Sequence, residues 1–256
     1  MSAAAAGHAA GKVAMKSAIV TGVSRGLGEA LGLALLSRGF AVIGIGRRSS
    51  SKLAGEHYRF APCDLGNAEA IDSTIEPVLR AIADSHPECV CLINNAATAE
   101  PVGVIGAIKG AGIMASLAAN LAAPLVLANL FCRLFTDAAQ ERRVINVSSG
   151  AAQSALPGGG LYSIAKAGLE MLTKQLAAEQ GPSNLKAISV RPGIIDTPMQ
   201  QFMRSQSRDV LPSVAMFQDF HASGQLVAAD VVAAKIVDKL VLGEIEQGRT
   251  YLYKEL

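Results

Sequence analysis

Apolar runs of strand length alternate with helix-period stretches along almost the whole chain. Ala41-Val-Ile-Gly-Ile45 and Cys89-Val-Cys-Leu-Ile93 are apolar without a polar alternation, the pattern of strands covered on both faces. Strands are expected near 16–22, 41–45, 57–61, 88–93, 142–147, 185–190 and 249–253. Helical periods fall near 26–38, 67–84, 111–135, 161–180 and 230–242. Continuous strands separated by helices predict an α/β fold, a mainly parallel seven-stranded sheet doubly wound by right-handed crossovers. The stretch 199–225, rich in Gln, Ser and Phe, is the least regular. It follows Thr197, beyond the carboxyl ends of the strands where ligands gather. A long irregular loop there reads as a lid.

Residues 1–15 are small and featureless. They lack the basic start and apolar run of a signal peptide, so a flexible tail is expected ahead of one domain over 16–256. The segment Ala111 to Cys132 carries no charge and is long enough to span a bilayer. Ser116, Asn120, Pro124 and Asn129 interrupt it and no aromatic belts flank it, so burial against the sheet and a partner subunit is expected instead of a membrane. The 256 residues are 50% hydrophobic with a net charge of +2. That suits one domain with a sizeable core and gives no footprint for nucleic acid. Cys63, Cys89, Cys91 and Cys132 lie in apolar stretches without ligand spacing. Core thiols in a reducing, cytoplasmic compartment are expected, and no metal site.

Chemistry enters at Ser148-Ser149 and Tyr162-Ser-Ile-Ala-Lys166. Residues four apart on a helix share a face, so Lys166 is expected beside the Tyr162 ring. An unperturbed phenol has a pKa near ~10. A cation about 4 Å away at an effective dielectric of about 20 contributes roughly 4 kcal/mol, enough to make the phenol a usable acid near neutrality. Upstream, Thr21-Gly22-Val-Ser24-Arg25-Gly26-Leu27-Gly28 follows the first strand and opens a helix. Glycines there let backbone approach a phosphate held on helix N-terminal amides. The spacing differs from the G-x-G-x-x-G dinucleotide pattern. Asn120 precedes Pro124 by four, and proline cannot donate the backbone bond to the carbonyl of residue 120. A freed buried acceptor needs a partner, such as a water.

From about Lys16 to the C-terminus the chain resembles the short-chain dehydrogenase/reductase family, whose fold is Rossmann. The resemblance rests on Thr21–Gly28, Asp64-Leu65, Asn94–Ala97, Asn120, Ser149 with Tyr162 and Lys166, and Arg191-Pro192-Gly193 with Thr197. Ala97 departs from the usual glycine and could narrow the floor beneath a nicotinamide. The resemblance implies a catalytic set of Asn120, Ser149, Tyr162 and Lys166. It places the cofactor on Gly22, Ser24, Arg25, Gly26, Leu27, Gly28, Asp64, Leu65, Asn94, Ala96, Tyr162, Lys166, Pro192, Gly193, Ile195 and Thr197. It also implies a four-helix contact in a homodimer or homotetramer.

The second strand ends in Arg47-Arg48 where a site for NAD would carry an acidic residue. Two arginines, with Arg25 in reach, suit a 2′-phosphate, so NADPH is expected. Within the family the sequence is similar to sepiapterin reductases and bacterial benzil reductases, on Arg143–Ala152, Gly193–Gln200 and Phe217 with Gly224-Gln225-Leu226. The acidic pterin anchor of sepiapterin reductases falls on an apolar position in Gly248–Glu255. A hydrophobic α-dicarbonyl is therefore the expected substrate, with Phe202, Met203, Met216 and Phe217 in the lid. Pterin ketone reduction, a non-catalytic nucleotide sensor and a membrane-associated protein are the alternatives; an intact Ser149, Tyr162 and Lys166 set argues against the sensor.

Overall fold

The computed structural model describes residues 16–180 and 183–256; the N-terminal tail expected over 1–15 lies outside them. Seven strands form one sheet in the order β3-β2-β1-β4-β5-β6-β7. They are β1 Lys16–Thr21, β2 Phe40–Gly46, β3 Tyr58–Pro62, β4 Cys89–Asn94, β5 Glu141–Val147, β6 Leu185–Arg191 and β7 Thr250–Leu252. Every pairing is parallel. Strand order reverses between β1 and β4, the switch point at which a crevice opens beyond the strand ends.

Successive strand residues feed opposite faces. Ala18 and Val20 join α1 (Gly26–Leu36) and α8 (Ala229–Ile236) in one apolar layer with Leu31, Leu35, Val232 and Ile236. Ile19, between them, joins the other layer with Ile75, Leu79, Leu127, Phe131 and Leu172. These belong to α2 (Ile71–Ala83), α4 (Ala123–Leu134) and α5 (Gly160–Gln180). A two-residue period buried on both sides explains why the strands are apolar throughout. Cys63, Cys89 and Cys91 sit in this interior as free thiols, and Cys132 is half-buried; burial pushes the Cys89 thiol up to about 11.

Two expectations change. The helix expected over 111–135 is broken into α3 (Gly110–Leu117), a wide π turn at Ala118–Ala122, and α4. In that turn the Ala123 amide donates five residues back to the Ala118 carbonyl, and Pro124, which has no N–H, follows at once. The Gly110–Leu134 segment is long and apolar enough to cross a membrane, yet it packs against α2 and α5 and buries Asn120. The stretch 199–225, expected as an irregular lid, is not an irregular loop. It holds α6 (Pro198–Arg204) and α7 (Val214–Ala222), joined through Met203, Leu211 and Val214 and packed on Ala99, Val102 and Leu156. Each helix is too short to show a clear 3.6-residue period, so sequence pattern could not reveal it.

Candidate active site

A cleft of about 2210 Å³ runs along the carboxyl edge of the sheet, from Arg47, Arg48, Asp64 and Leu65 at one end to the lid at the other. Its floor is the turn between β1 and α1. Gly22 has φ of +75° and Gly28 lies against the Gly22 carbonyl oxygen, where a Cβ would stand at 2.1 Å. A side chain at Gly28 would collide with that oxygen and with Asn95, so only glycine lets α1 begin this close to the turn. Thr21 locks it in place: its hydroxyl accepts from the amides of Asn95 and Ala96, both at 2.9 Å. Ser24, Arg25, Gly26, Leu27, Ala96, Pro192, Gly193, Ile195 and Thr197 all line the same cleft. Thr197 also caps α6 by accepting the Gln200 amide at 3.4 Å. The glycine turn, the strand ends and the open crevice together fit a dinucleotide.

Asn94 is placed differently from expectation. As the last residue of β4 it lies in register with Asn146, and its Nδ2 donates to Asn146 Oδ1 at 2.9 Å inside the sheet. Asn146 in turn donates to Thr173 Oγ1 at 2.8 Å. Strand alternation turns Asn94 inward, and it is Asn95 that reaches the cleft wall.

Ser149, Tyr162 and Lys166 converge at the middle of the cleft. Ser149 follows β5 in extended conformation and its hydroxyl accepts from the Ala151 amide at 3.2 Å. Ser148 is engaged in a structural bond. It is buried, and its hydroxyl is spent on Glu170 Oε1 at 2.6 Å. Glu170 also holds Arg191 through two bonds, of 2.8 and 2.7 Å. This Ser148–Glu170–Arg191 set ties β5, α5 and β6 together beneath the site. Sequence reasoning missed it, although Glu170 stands one helical turn beyond Lys166.

Lys166 is 2% exposed. Its Nζ lies 5.5 Å from the centre of the Tyr162 ring and donates to the Val147 carbonyl at 2.6 Å. The helical register therefore does what its spacing implies. The electrostatics differ from expectation: burial pushes the Tyr162 phenol up to about 12, opposed by the Ser149 hydroxyl nearby. Burial also pulls Lys166 down to about 8. Desolvation of both groups outweighs the attraction of an ammonium that points at a carbonyl and not at the phenol oxygen. A raised phenol pKa keeps the proton on Tyr162 at neutral pH.

Asn120 is 1% exposed and saturated. Its Oδ1 accepts from the Thr98 amide at 2.8 Å, and its Nδ2 donates to the Thr98 carbonyl at 2.9 Å and to Ser116 Oγ at 3.2 Å. Its side chain thus clamps the loop after β4 and forms no part of the cleft wall. At the lid end, Phe202, Met216, Phe217 and Phe220 face the cleft. Met203 is mostly committed to lid packing at 4% exposure. Gln200 fastens α6 to α7, its Nε2 donating to the Phe217 carbonyl at 3.0 Å.

The geometry agrees with what comparison finds. Residues 16–208 match the family model described as short chain dehydrogenase. The chain is 32% identical over 228 residues to a benzil reductase ((S)-benzoin forming) of Bacillus subtilis, covering 87% of this chain and 92% of that one. It is 34% identical over 196 residues to a sepiapterin reductase of Meriones unguiculatus, covering 73% of this chain and 72% of the relative. The crystal structure of the KRED1-Pglu enzyme superposes with a TM-score of 0.80 at 26% identity, over 92% of this chain and all of that one. The glycine turn, the parallel sheet and the Ser149, Tyr162 and Lys166 constellation thus sit in a chain that belongs to the short-chain dehydrogenase family.

Proposed function

We propose that this oxidoreductase is an NADPH-dependent carbonyl reductase acting on hydrophobic ketones that carry a second carbonyl, as in an α-dicarbonyl. The observation that carries the reading is the meeting of Ser149, Tyr162 and buried Lys166 beside an apolar lid in one cleft. When bound, the reduced nicotinamide supplies hydride to the substrate carbon. The Ser149 hydroxyl and Tyr162 phenol hold the carbonyl oxygen, and Tyr162 gives it the proton. Lys166, held by Val147, places positive charge behind the phenol as it becomes phenolate. A water between Lys166 and the main-chain carbonyl of Asn120, as the family resemblance implies, would return the proton through Lys166.

NADPH is preferred over NADH on the strength of Arg47 and Arg48, both exposed at the adenosine end with no carboxylate at their own position. The likeness to benzil reductases over most of both chains supports the dicarbonyl substrate. Aromatic and thioether side chains at the lid support it independently. The pterin alternative has support in the sepiapterin reductase relatives, but the C-terminal wall offers Leu252, Tyr253 and Lys254 and no carboxylate. We place the enzyme in the cytoplasm, away from membranes and nucleic acid, as a homodimer or homotetramer. Leu125, Ile164 and Met171 expose an apolar face on α4 and α5 beside the close packing of Leu121 on Gly168, and light scattering reads that assembly directly.

The decisive experiment is Tyr162→Phe assayed on benzil with NADPH. Loss of general acid participation is worth typically ~10²–10⁴ in rate, so turnover should fall at least a hundredfold while NADPH still binds. Near-full turnover in the variant would overturn the assignment of the acid.

A further inference from the structure

A second, smaller cavity of about 410 Å³ opens beside the adenosine end of the cleft. Ser24, Arg25, Arg48, Ser50 and Lys52 bring cations and hydroxyls into it, and Glu29 brings a carboxylate. Glu29 stands in the first turn of α1, four residues beyond Arg25, which precedes the helix in extended conformation. It does not pair with Arg25. Its Oε1 accepts from Lys52 Nζ at 2.8 Å, and its Oε2 takes the hydroxyl of Ser50. Ser50 is buried and its hydroxyl also accepts the Lys52 amide at 3.1 Å, so the loop is folded onto the carboxylate. The bonds from Lys52 and Ser50 hold the Glu29 carboxyl below its usual range, and it is an anion at neutral pH. Arg25 and Arg48 make no salt bridge with any described residue, despite sharing a cavity with an anion.

We propose that Lys52 is a specificity-determining residue for the dinucleotide: by holding Glu29 it leaves Arg25 and Arg48 free for a phosphate monoester on the adenosine ribose. Without Lys52, Glu29 competes for the two arginines and repels the phosphate dianion. Lys52 acts through Glu29, as a positioning residue. The inference rests on reading the cleft as a site for NADPH. Because Lys52 is well exposed, solvent screens the pair and the effect is moderate, about five- to tenfold in affinity from charges several ångströms apart in a wet cavity.

The test is a double-mutant cycle read by calorimetry on the full chain, with adenosine 2′,5′-bisphosphate and adenosine 5′-monophosphate as probes. The unmodified protein should bind the bisphosphate more tightly. Lys52→Met should weaken the bisphosphate about five- to tenfold and change the monophosphate less than about twofold. Adding Glu29→Gln to Lys52→Met should restore most of the lost affinity, because the charge that Lys52 restrained is gone. Equal binding of the two probes by the unmodified protein would overturn the NADPH reading, and this inference with it. If discrimination is present but Lys52→Met leaves it unchanged, the inference alone fails. It also fails if the double variant is as weak as Lys52→Met, since Lys52 would then touch the phosphate itself. Unchanged melting temperatures across the set exclude a folding effect.

Discussion

Two buried cations stand at opposite ends of the sheet, and the protein treats them in opposite ways. Arg143, at the amino end of β5, is 4% exposed. Its NH1 donates to the Leu240 and Gly243 carbonyls at 2.8 and 2.7 Å, and its Nε donates to Glu141 Oε1 at 2.8 Å, with NH2 on the same oxygen. It closes the carboxyl end of the π turn Val237–Val241 that ends the α8 helix, where open carbonyls favour a cation. Lys166, beyond the carboxyl end of the same strand, is equally buried but has one bond, to Val147. A planar fork spends nearly all its donors on structure. An ammonium with donors in reserve, pulled down to about 8 by desolvation, is costly to the fold and marks a candidate functional group.

The contrast is broken most strongly at Lys166. Lys166→Met should lower reductase turnover at least a hundredfold, the scale of acid–base participation. Stability should move the other way. The gap between an ordinary lysine near 10.5 and about 8 in the fold corresponds to about 3 kcal/mol at most. For a base with a lowered folded pKa, the penalty is complete below pH 8 and fades as pH rises toward the unfolded value. The methionine variant should therefore melt at least ~2 °C higher at pH 7, with the gain shrinking by pH 10. A variant that melts lower at pH 7 would show that the Val147 bond outweighs desolvation.

Arg143→Met should give the mirror result. It leaves the Leu240 and Gly243 carbonyls without their donor, and unsatisfied buried groups cost ~1–3 kcal/mol each. Denaturant titration should show a loss of roughly 2–4 kcal/mol, while turnover per folded molecule stays within about twofold. An equal loss of turnover would mean that the two ends of the sheet are coupled.

These two cations also mark what the sequence can and cannot reveal. Lys166 is legible because four residues separate it from Tyr162, and helical spacing turns that number into proximity. The parallel strands and the glycine turn are legible for a similar reason: local patterns with strict steric demands. The order of the strands in the sheet is not. Nor is Arg143, since the carbonyls that hold it lie about a hundred positions away at Leu240 and Gly243. Asn94 and Asn95 invert for want of one fact, which of two adjacent residues turns inward, and only the register with Asn146 supplies it. The phenol is instructive too. Spacing places the ammonium but says nothing of desolvation, which here reverses the expected direction of the Tyr162 shift.

The smallest effect is the sharpest test of that reversal. If an ammonium fully tuned the phenol, the alkaline limb of the reduction rate would report Tyr162 losing its proton. With Tyr162 near 12 and Lys166 near 8, the limb belongs to Lys166. Reductive kcat/KM, which reports the free enzyme, should then fall above pH 8 by up to tenfold per unit as the ammonium is lost, while Tyr162 still carries its proton. Lys166→Arg, if folded, keeps a cation throughout this range and should flatten the limb even at reduced turnover. The independent reading is NMR of carbon-labelled lysine in the Tyr162→Phe protein, where one resonance should titrate near pH 8 and vanish in Lys166→Met. A Lys166 resonance titrating near its ordinary value, with the limb unchanged in Lys166→Arg, would return the alkaline limb to the phenol and restore the spacing-based account of the acid.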